Sequence, residues 1–396
     1  MTGKKKLVID ELAACVDIPE SAYEKAESRY KDLGDWFSRD EAHCNKFDPH
    51  ISPQGSFRLG TVTRADEYDL DFGCRLRSGI SKATHTQEQL KQLVGFDLEA
   101  YRRARGIEQK LEEMHRCWRL RYKDELPFHM DAVPSIPAEN QQRSLLAESM
   151  IKHGADAFLA RSVTEFSGSI TDNRLPNFKQ LSPNWRISNS EGYAKWFESR
   201  MKLAGTLMEK RALEARAATV DDLPARKWKS PLQRSIQILK CHRDRMFEDN
   251  CISKPISIIL TTLSAEAYQG EQDISDALEG ILTRMNGLVR TDRPRVPNPV
   301  NPIEDFADKW YDLAYAHLRL EENFRAWLKQ AQIDFGVIGR SLDSDFITEQ
   351  AMTKFGIPID TRRLQTALGM GGAPAVITTP KSHKIIETPA RPWFCK

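Results

Sequence analysis

The sequence predicts an α+β fold of two lobes, with strands and helices in the first half and helices alone in the second. The chain has 396 residues, which is long for one compact core. Apolar and polar residues alternate over 67–76 and again near 128–133, as in strands that bury one face. From residue 191 onward, apolar residues mostly recur every three or four positions, which is the period of a helix.

The boundaries of the lobes follow from these patterns. We expect a first lobe over 1–190, which contains a long N-terminal helix over 7–44 and a core over 50–140. We expect the helical lobe over 191–370. The tail, 371–396, has little periodicity, and we predict that it is mobile.

Local sequence signals predict where the other helices and strands begin and end. Pro49 and Pro53 end the N-terminal helical region, and Pro255 opens a later helix at the position that proline favours. Two short strands around a turn are predicted over 117–137. The remaining helices are predicted at 54–64 (a short helix with its turn), 96–117, 191–218, 231–247, 255–268, 273–286 and from 303 onward.

Composition restricts the class of protein. The chain carries 58 Lys and Arg against 56 Asp and Glu, a net charge of +2, so it is not a polycation that would wrap double-stranded nucleic acid. No stretch approaches the roughly 18 apolar residues of a membrane span. Asp10, Glu11 and Asp17 interrupt the N-terminal apolar run, which excludes a signal peptide. The seven scattered cysteines, without a C-x-x-C pair, indicate reduced thiols in the cytoplasm.

The positive charge is unevenly distributed. Between Arg226 and Arg245 the sequence has seven basic residues and one acid, Asp244. A local basic patch on a nearly neutral chain suggests a small polyanion such as a nucleoside triphosphate. A solvated helix face would have the same composition, and this alternative stays open.

The stretch "PQGSFRLGT" resembles half of a phosphate-binding P-loop. Gly55, then Gly60 and Thr61, have the spacing of that motif, but the lysine between the second glycine and the hydroxyl residue is missing. A Gly-Ser turn that opens a short helix still offers backbone N–H groups and a hydroxyl to phosphate oxygens. Ser56 is also a common helix-capping residue, so a purely structural role remains open.

Two carboxylates follow in "EYDLDFGC". In a strand, Asp69 and Asp71 project to the same side, about 6.6 to 7 Å apart, which is unfavourable unless a cation lies between them. Mg²⁺ is the natural partner of carboxylate and phosphate oxygens. In isolation, such a pair is more often simply exposed to solvent.

A third carboxylate occurs in "FHMDAVPSI". If its strand neighbours the first, Asp131 converges with Asp69 and Asp71, and three carboxylates can hold two Mg²⁺ ions around a reacting phosphate. His129 shares the face of Asp131, and we interpret it as a supporting residue because Mg²⁺ prefers oxygen ligands. Further candidates for the rim of a pocket are Arg58, Thr61, Asp172, Trp185, Asn189 and Tyr193.

Together these motifs resemble the G-S…D-x-D…D signature of the polymerase-β-like nucleotidyltransferases. The wider pattern "PQGSFRLGT…EYDLD" resembles the bacterial CD-NTases, which are relatives of cGAS and oligoadenylate synthase and act in anti-phage CBASS systems. "PLQRSIQILKCHRD" and "KPISIILTTLSAEAY" are similar to helices of that family that contact a triphosphate. The resemblance covers roughly 50–330.

The resemblance implies roles for seven residues and a two-lobed polymerase-β-like fold, in which a catalytic lobe with a mixed sheet precedes a helical lobe. The residues that would be catalytic and bind the metal are Asp69, Asp71 and Asp131. The residues that would hold the nucleotide phosphates are Gly55, Ser56, Lys240 and Ser257.

The implied activity is the joining of nucleoside triphosphates, such as ATP or GTP, into a cyclic di- or trinucleotide messenger. The reaction would need Mg²⁺, or Mn²⁺ in its place, and release pyrophosphate, and the product would act on a downstream effector. A linear oligonucleotide synthase, a tailing enzyme, an enzyme that transfers AMP to protein or tRNA, and a nucleotide-binding protein on an inactive scaffold stay open as alternatives. The family is often monomeric, which implies a monomer without a membrane partner. The bases, the linkage and any activator are left open.

Overall fold

The structure is a computed structural model that describes residues 2–64, 68–123, 127–201, 229–341 and 343–370. Its strands are β1 (Pro49–Pro53), β2 (Tyr68–Leu76), β3 (Glu112–Glu113), β4 (Trp118–Tyr122), β5 (Phe128–Pro137), β6 (Gly168–Ile170), β7 (Arg186–Ser188), β8 (Pro297–Asn298) and β9 (Asn301–Asp305). Its helices are α1 (Thr2–Cys15), α2 (Glu20–Phe37), α3 (Gly55–Leu59), α4 (Gln87–Ala104), α5 (Asn140–Lys152), α6 (Ala157–Thr164), α7 (Ser190–Arg200), α8 (Pro231–Met246), α9 (Ser257–Ala267), α10 (Ile274–Leu288), α11 (Leu320–Ile338), α12 (Ser344–Phe355) and α13 (Thr361–Ala367).

Seven strands form one mixed sheet. The order is β1-β2-β5-β4-β3, and β6 pairs with both β5 and β7. β2 and β5 run parallel, whereas the other neighbours are antiparallel. The mixed sheet followed by a helical half confirms the predicted α+β class.

Within the described ranges, the buried apolar side chains form two hydrophobic clusters. The sheet cluster packs α2 and α4 against the sheet and includes Leu70 and Met130, both 0% exposed. The helical cluster joins α7 to the helices from α8 to α13 and includes Trp327, which is fully buried. Val8 of α1 belongs to the helical cluster, so the first helix of the chain packs with the last ones.

The predicted single helix over 7–44 is wrong, because two helices, α1 and α2, occupy this region. Pro19 disfavours a helical conformation at the residue before it, so the chain turns between the two helices. Asp17 in this turn accepts ion pairs from Lys229 at 3.1 Å and Arg234 at 3.0 Å, and it pairs through its backbone with Thr63. The turn therefore ties the N-terminal helices to α8.

Other predicted boundaries shift for identifiable reasons. The helix predicted at 96–117 is α4, because Thr86 and Gln89 form a capping box that starts it earlier. The helix predicted at 255 starts two residues later, with Ile256 as its N-terminal cap. The helix predicted from 303 is replaced by the hairpin of β8 and β9, and the long helix is α11. Beyond residue 201, the helix predicted at 191–218 lies outside the described residues, as does the tail 371–396.

No helix in the described ranges is both long enough and apolar enough to cross a membrane.

Candidate active site

The three predicted carboxylates lie on one face of two adjacent strands. The register of β2 and β5 sets Asp71 directly opposite Asp131, and Asp69 opposite His129. The intervening residues Leu70 and Met130 point into the sheet cluster, which fixes the face to which the carboxylates project. Burial and the nearby charges of Asp131 and Asp69 raise the pKa of Asp71 to about 7. The local field at Asp71 is therefore one that favours a cation.

Arg119 of β4 currently neutralises Asp131. Its Nε donates to Asp131 Oδ1 at 2.7 Å and its Nη2 to Oδ2 at 2.6 Å. Within the described ranges, no three carboxylate, imidazole or thiol groups are arranged as a ready-made metal site. The oxygen donors suit Mg²⁺ in type, but a site that uses all three aspartates requires Arg119 to release Asp131.

His129 links Asp69 to a charged chain at the edge of the sheet. Its Nδ1 lies 3.0 Å from Asp69 Oδ1, and its Nε2 lies 2.5 Å from Arg121 Nη1. Because the guanidinium can only donate, Nε2 accepts and the ring proton sits on Nδ1, from which it is donated to Asp69. Arg121 is held in turn by Glu112 at 2.7 Å. The imidazole thus orients a carboxylate, as the sequence interpretation proposed.

The Gly-Ser turn lies against the carboxylates. Gly55 adopts a φ of 59°, and a Cβ at this position would stand 2.4 Å from Asp71 Oδ2. The backbone N–H of Gln54 donates to the carbonyl oxygen of Asp71 at 2.7 Å, which joins the turn to β2. Gly60 ends α3 at a φ of 65°, and Thr61 donates its N–H to the carbonyl of Ser56 at 2.9 Å. Gly60 and Thr61 are therefore turn residues of the short helix.

A cavity of about 550 Å³ opens from this turn between the two lobes. The sheet side contributes Gly55 and Arg58, the start of α7 contributes Ser190 and Tyr193, and Ile258 comes from α9. This volume is in the range of small-molecule sites. The other lining residues are Leu59, Arg116, Ile170, Arg186, Ile187, Ser188, Asn189, Ala194, Asn298, Asn301, Ile303, Glu304 and Phe306. We refer to this cavity as the cleft.

Lys240 and Ser257 approach the turn from the helical side. The ammonium of Lys240 donates to the carbonyl and hydroxyl oxygens of Thr61, at 3.1 and 3.0 Å, and its side chain is buried. Burial and the neighbouring charge of Arg243 lower the pKa of Lys240 to about 7. Ser257 is exposed at the first residue of α9, and its hydroxyl accepts from Arg243 at 2.9 Å. Neither Lys240 nor Ser257 is among the described residues that line the cleft.

Several charged residues of the site were not anticipated. Arg116 and Arg186 line the cleft and both pair with Asp172, at 3.1 and 2.8 Å. In "WRLRY", Arg119 and Arg121 alternate with Leu120, and this period-two pattern was the available signal that both arginines share a face with the carboxylates. Their pairing partners, however, depend on strand order, which the pattern does not give.

The remaining candidates for the pocket rim lie in different surroundings. Tyr193 lines the cleft, but its hydroxyl is bonded to Thr262 at 2.8 Å and its side chain is mostly buried. Trp185 is buried in the sheet cluster. Asn189 caps α7 by accepting the N–H of Gly192 at 3.0 Å. Arg58 pairs with Glu198 at 2.5 Å.

The chain is similar to known proteins along most of its length. The family described as "Cyclic GMP-AMP synthase DncV-like, nucleotidyltransferase domain" matches residues 49–134. A c-di-GMP synthase of Roseivirga ehrenbergii is 30% identical over 314 residues, which are 76% of this chain and 72% of that protein. The cyclic dinucleotide synthase CdnG of Bradyrhizobium diazoefficiens is 24% identical over 329 residues, or 76% of this chain and 69% of that protein.

Solved structures share the fold. The structure of the CD-NTase CdnG of Bradyrhizobium diazoefficiens in complex with GTP matches with a TM-score of 0.61 and 19% identity, covering 92% of this chain and 98% of that one. The structure of CdnC from Escherichia coli with ATP matches with a TM-score of 0.55 and 11% identity, over 90% and 98% of the two chains. From the extent and identity of the match to the Roseivirga protein, the chain belongs to the DncV-like nucleotidyltransferases, the family of the bacterial CD-NTases.

Proposed function

We propose that this chain joins nucleoside triphosphates into a cyclic dinucleotide messenger within the cleft. The observation that carries the proposal is the position of Asp69, Asp71 and Asp131 on adjacent parallel strands, with Gly55 connecting Asp71 to the cleft. The relatives named c-di-GMP synthase and cyclic dinucleotide synthase support GTP as one substrate. A cyclic trinucleotide and other bases remain as variants of the same chemistry.

The carboxylates would hold Mg²⁺, or Mn²⁺, once Arg119 releases Asp131. Bound there, the ions would neutralise charge on the triphosphate and on the departing pyrophosphate. Asp69 and Asp71 would be ligands because both project from the same face of β2, and His129 would keep Asp69 oriented. A nucleotide that displaces Arg119 from Asp131 would complete the set.

The reaction itself needs a positioned hydroxyl. A ribose hydroxyl of one nucleotide attacks the α-phosphorus of another, a new P–O bond forms, the bond to pyrophosphate breaks, and the hydroxyl proton passes to Asp131. The linear product then turns in the cleft, and its own hydroxyl attacks the remaining α-phosphate to close the ring. A second pyrophosphate leaves in this step.

The phosphates would be held from both lobes. Gly55 and Ser56 offer the backbone of the turn, and Arg58 lines the cleft beside them. We assign Lys240 and Ser257 to the triphosphate, since Lys240 already reaches Thr61 at the end of that turn and Ser257 opens a helix. In this assignment Lys240 exchanges the oxygens of Thr61 for phosphate oxygens. The division into lobes near residue 190 follows from the same proposal.

The biological setting that fits this activity is anti-phage signalling in the bacterial cytoplasm. The product would act on a separate effector, and the enzyme would work as a monomer. Neither synthesis of the messenger nor signalling through it requires the chain to bind a membrane or double-stranded nucleic acid.

The activity can be tested with the purified chain, labelled nucleoside triphosphates and Mg²⁺. A cyclic product resists phosphatase, whereas a linear product loses its terminal phosphate. Asp69→Asn with Asp71→Asn should reduce product by a factor on the order of 1,000 or more, since both proposed metal ligands lose their charge. Asp249→Asn with Asp345→Asn changes the same charge on two exposed residues and should leave the activity intact. Full activity of the first pair would disprove the assignment, and phosphatase-sensitive product would favour the linear synthase.

A further inference from the structure

A second cavity, of about 530 Å³, lies on the same face of the sheet as the carboxylates. Arg75 of β2 lines it, four residues beyond Asp71 and therefore on the same side of the strand, at roughly 13 Å along it. His50 of β1 stands directly opposite Arg75 in the sheet. The other walls come from α5, α6 and the first turn of α7. We refer to it as the arginine cavity.

The walls of the arginine cavity carry an excess of positive charge. Four arginines line it, against two glutamates, Glu165 and Glu191. Two of the arginines are engaged. Arg75 donates to the carbonyl of Phe166 at 2.6 Å and to Glu191 at 2.8 Å, and Arg77 pairs with Asp48 outside the cavity.

The side chains of the other two arginines, Arg143 and Arg161, are not hydrogen-bonded or ion-paired within the described part of the chain. The Nε atoms of Arg143 and Arg75 are both buried without an acceptor. Burial and the charge of Arg75 lower the pKa of Arg143, and the charge of Glu165 offsets this only in part, which means that the charge of Arg143 is held there at a cost. An acceptor with negative charge would satisfy these groups together.

We propose that the arginine cavity is a second small-molecule site, which binds an anion with a phosphate or carboxylate group, and that α7 connects its occupancy to the cleft. The volume suits a small organic molecule. Pro137, Ala147 and Phe166 provide apolar wall for the body of such a ligand, while Arg143 and Arg161 receive its charged group. Planar guanidinium groups bind both phosphate and carboxylate oxygens in pairs.

The first turn of α7 separates the two cavities. Ser190 lines the cleft, and the next residue, Glu191, lines the arginine cavity. Glu191 is buried, and Ser52 and Arg75 hold it at 3.2 and 2.8 Å. An anion on Arg75 competes with Glu191 for the same guanidinium. Loss of that pair would loosen the first turn of α7, whose opposite side forms part of the cleft.

Binding can be measured by calorimetry on the full chain, in EDTA so that no metal bridges a phosphate to the carboxylates. Pyrophosphate probes for a phosphate ligand and tricarballylate for a carboxylate ligand, and the tighter probe identifies the group. We expect Arg143→Gln with Arg161→Gln to weaken that probe at least tenfold. The matched control, Arg103→Gln with Arg319→Gln, removes the same charge from exposed positions and should bind as the wild type does. A probe confined to the cleft would give the same isotherm in wild type and variant, and this would overturn the proposal, as would a failure of both probes to bind.

A variant of Arg161 alone keeps the test valid if the double variant has a folding defect. If the double variant melts early, Arg161→Gln alone should still weaken the probe several-fold, because Arg161 is exposed and unpaired in the described part of the chain. The coupling is read from the affinity for GTP with and without saturating probe. We expect the change to be several-fold larger in the wild type than in the double variant, in which only direct competition of the probe in the cleft is left. Equal changes in the two proteins would refute the link through α7. This readout rests on the proposed function, whose failure would show separately as no GTP binding at all.

Discussion

Arg119 holds both carboxylate oxygens of Asp131 across β4 and β5, in a two-pronged ion pair. The two side chains are 23% and 14% exposed, so the charges are only partly solvated. In a site that binds Mg²⁺ through Asp131, the guanidinium is a competitor for the same oxygens. In the metal-free structure, Arg119 therefore neutralises the charge of the Asp131 carboxylate.

Replacing Arg119 by Gln should tighten Mg²⁺ binding several-fold and lower the metal-free stability by about 1 to 3 kcal/mol, because three carboxylates then face each other without a cation. Melting temperature measured across a Mg²⁺ titration reports both effects. Arg103→Gln, which removes an exposed arginine, is the control. An unchanged Mg²⁺ dependence in Arg119→Gln would show that Arg119 and the metal do not share Asp131.

Gly55→Ala should abolish most of the activity, because the new Cβ would stand 2.4 Å from Asp71 Oδ2 and displace that carboxylate. Gly106 provides a matched control. It has nearly the same left-handed conformation, with a φ of 63°, and nothing lies within 4 Å of its Cβ position. Gly106→Ala should therefore cost only the backbone strain, about 1 to 2 kcal/mol, and keep full activity per folded molecule. Equal specific activities of the two variants would remove the steric argument.

Asp71 should make the stability of the metal-free protein depend on pH. Its pKa is raised from 3.8 to about 7 in the folded state, so the folded protein binds this proton more tightly than the unfolded chain does. The resulting stabilisation is fully present below about pH 4 and is lost as the pH rises through about 7. Relative to Asp71→Asn, the wild type should lose about 2 to 3 kcal/mol of unfolding free energy between pH 5 and pH 8.

Urea unfolding of both proteins at several pH values, in EDTA, measures this difference. Parallel pH profiles would mean that Asp71 titrates normally. In the wild type, Mg²⁺ should also bind more weakly below about pH 7, because the ion requires the ionised carboxylate.

The carboxylate face could be predicted from sequence because it depends on local alternation alone. Asp69, Asp71 and Asp131 each follow the period of two that a half-buried strand imposes, and apolar neighbours such as Leu70 fix the side. Strand order has no such local signature. The parallel pairing of β2 with β5, and the insertion of Arg119 opposite Asp131, depend on long-range packing that no short window contains.

The errors in the helices have a similar origin. Apolar spacing continues across Ile18 and Pro19, so in the sequence the proline alone marks the break between α1 and α2. The arginine cavity could not be anticipated at all. Arg75 and Arg77 come from the end of β2 and the residue after it, whereas Arg143 and Arg161 come from α5 and α6, more than sixty residues later in the sequence. The two pairs meet only after the sheet and these helices have packed.

Lys240 should take up a proton when a triphosphate binds. Its pKa is lowered to about 7, so at pH 8 roughly nine-tenths of the side chain is neutral in the free protein. A triphosphate within contact distance favours the charged ammonium and raises the pKa again, since opposite charges stabilise each other. Binding of GTP at pH 8 should then absorb close to one proton, and the enthalpy measured in buffers of different ionisation enthalpy gives this number directly.

The variant Lys240→Met should bind GTP without proton uptake and with an affinity weaker by a factor on the order of ten or more, because the charged contact is lost. Lys329→Met, an exposed substitution on α11, serves as the control and should behave as the wild type. The opposite result is equally informative. If the wild type absorbs no proton and Lys240→Met binds GTP normally but melts at a lower temperature, Lys240 serves only to hold Thr61 at the end of α3.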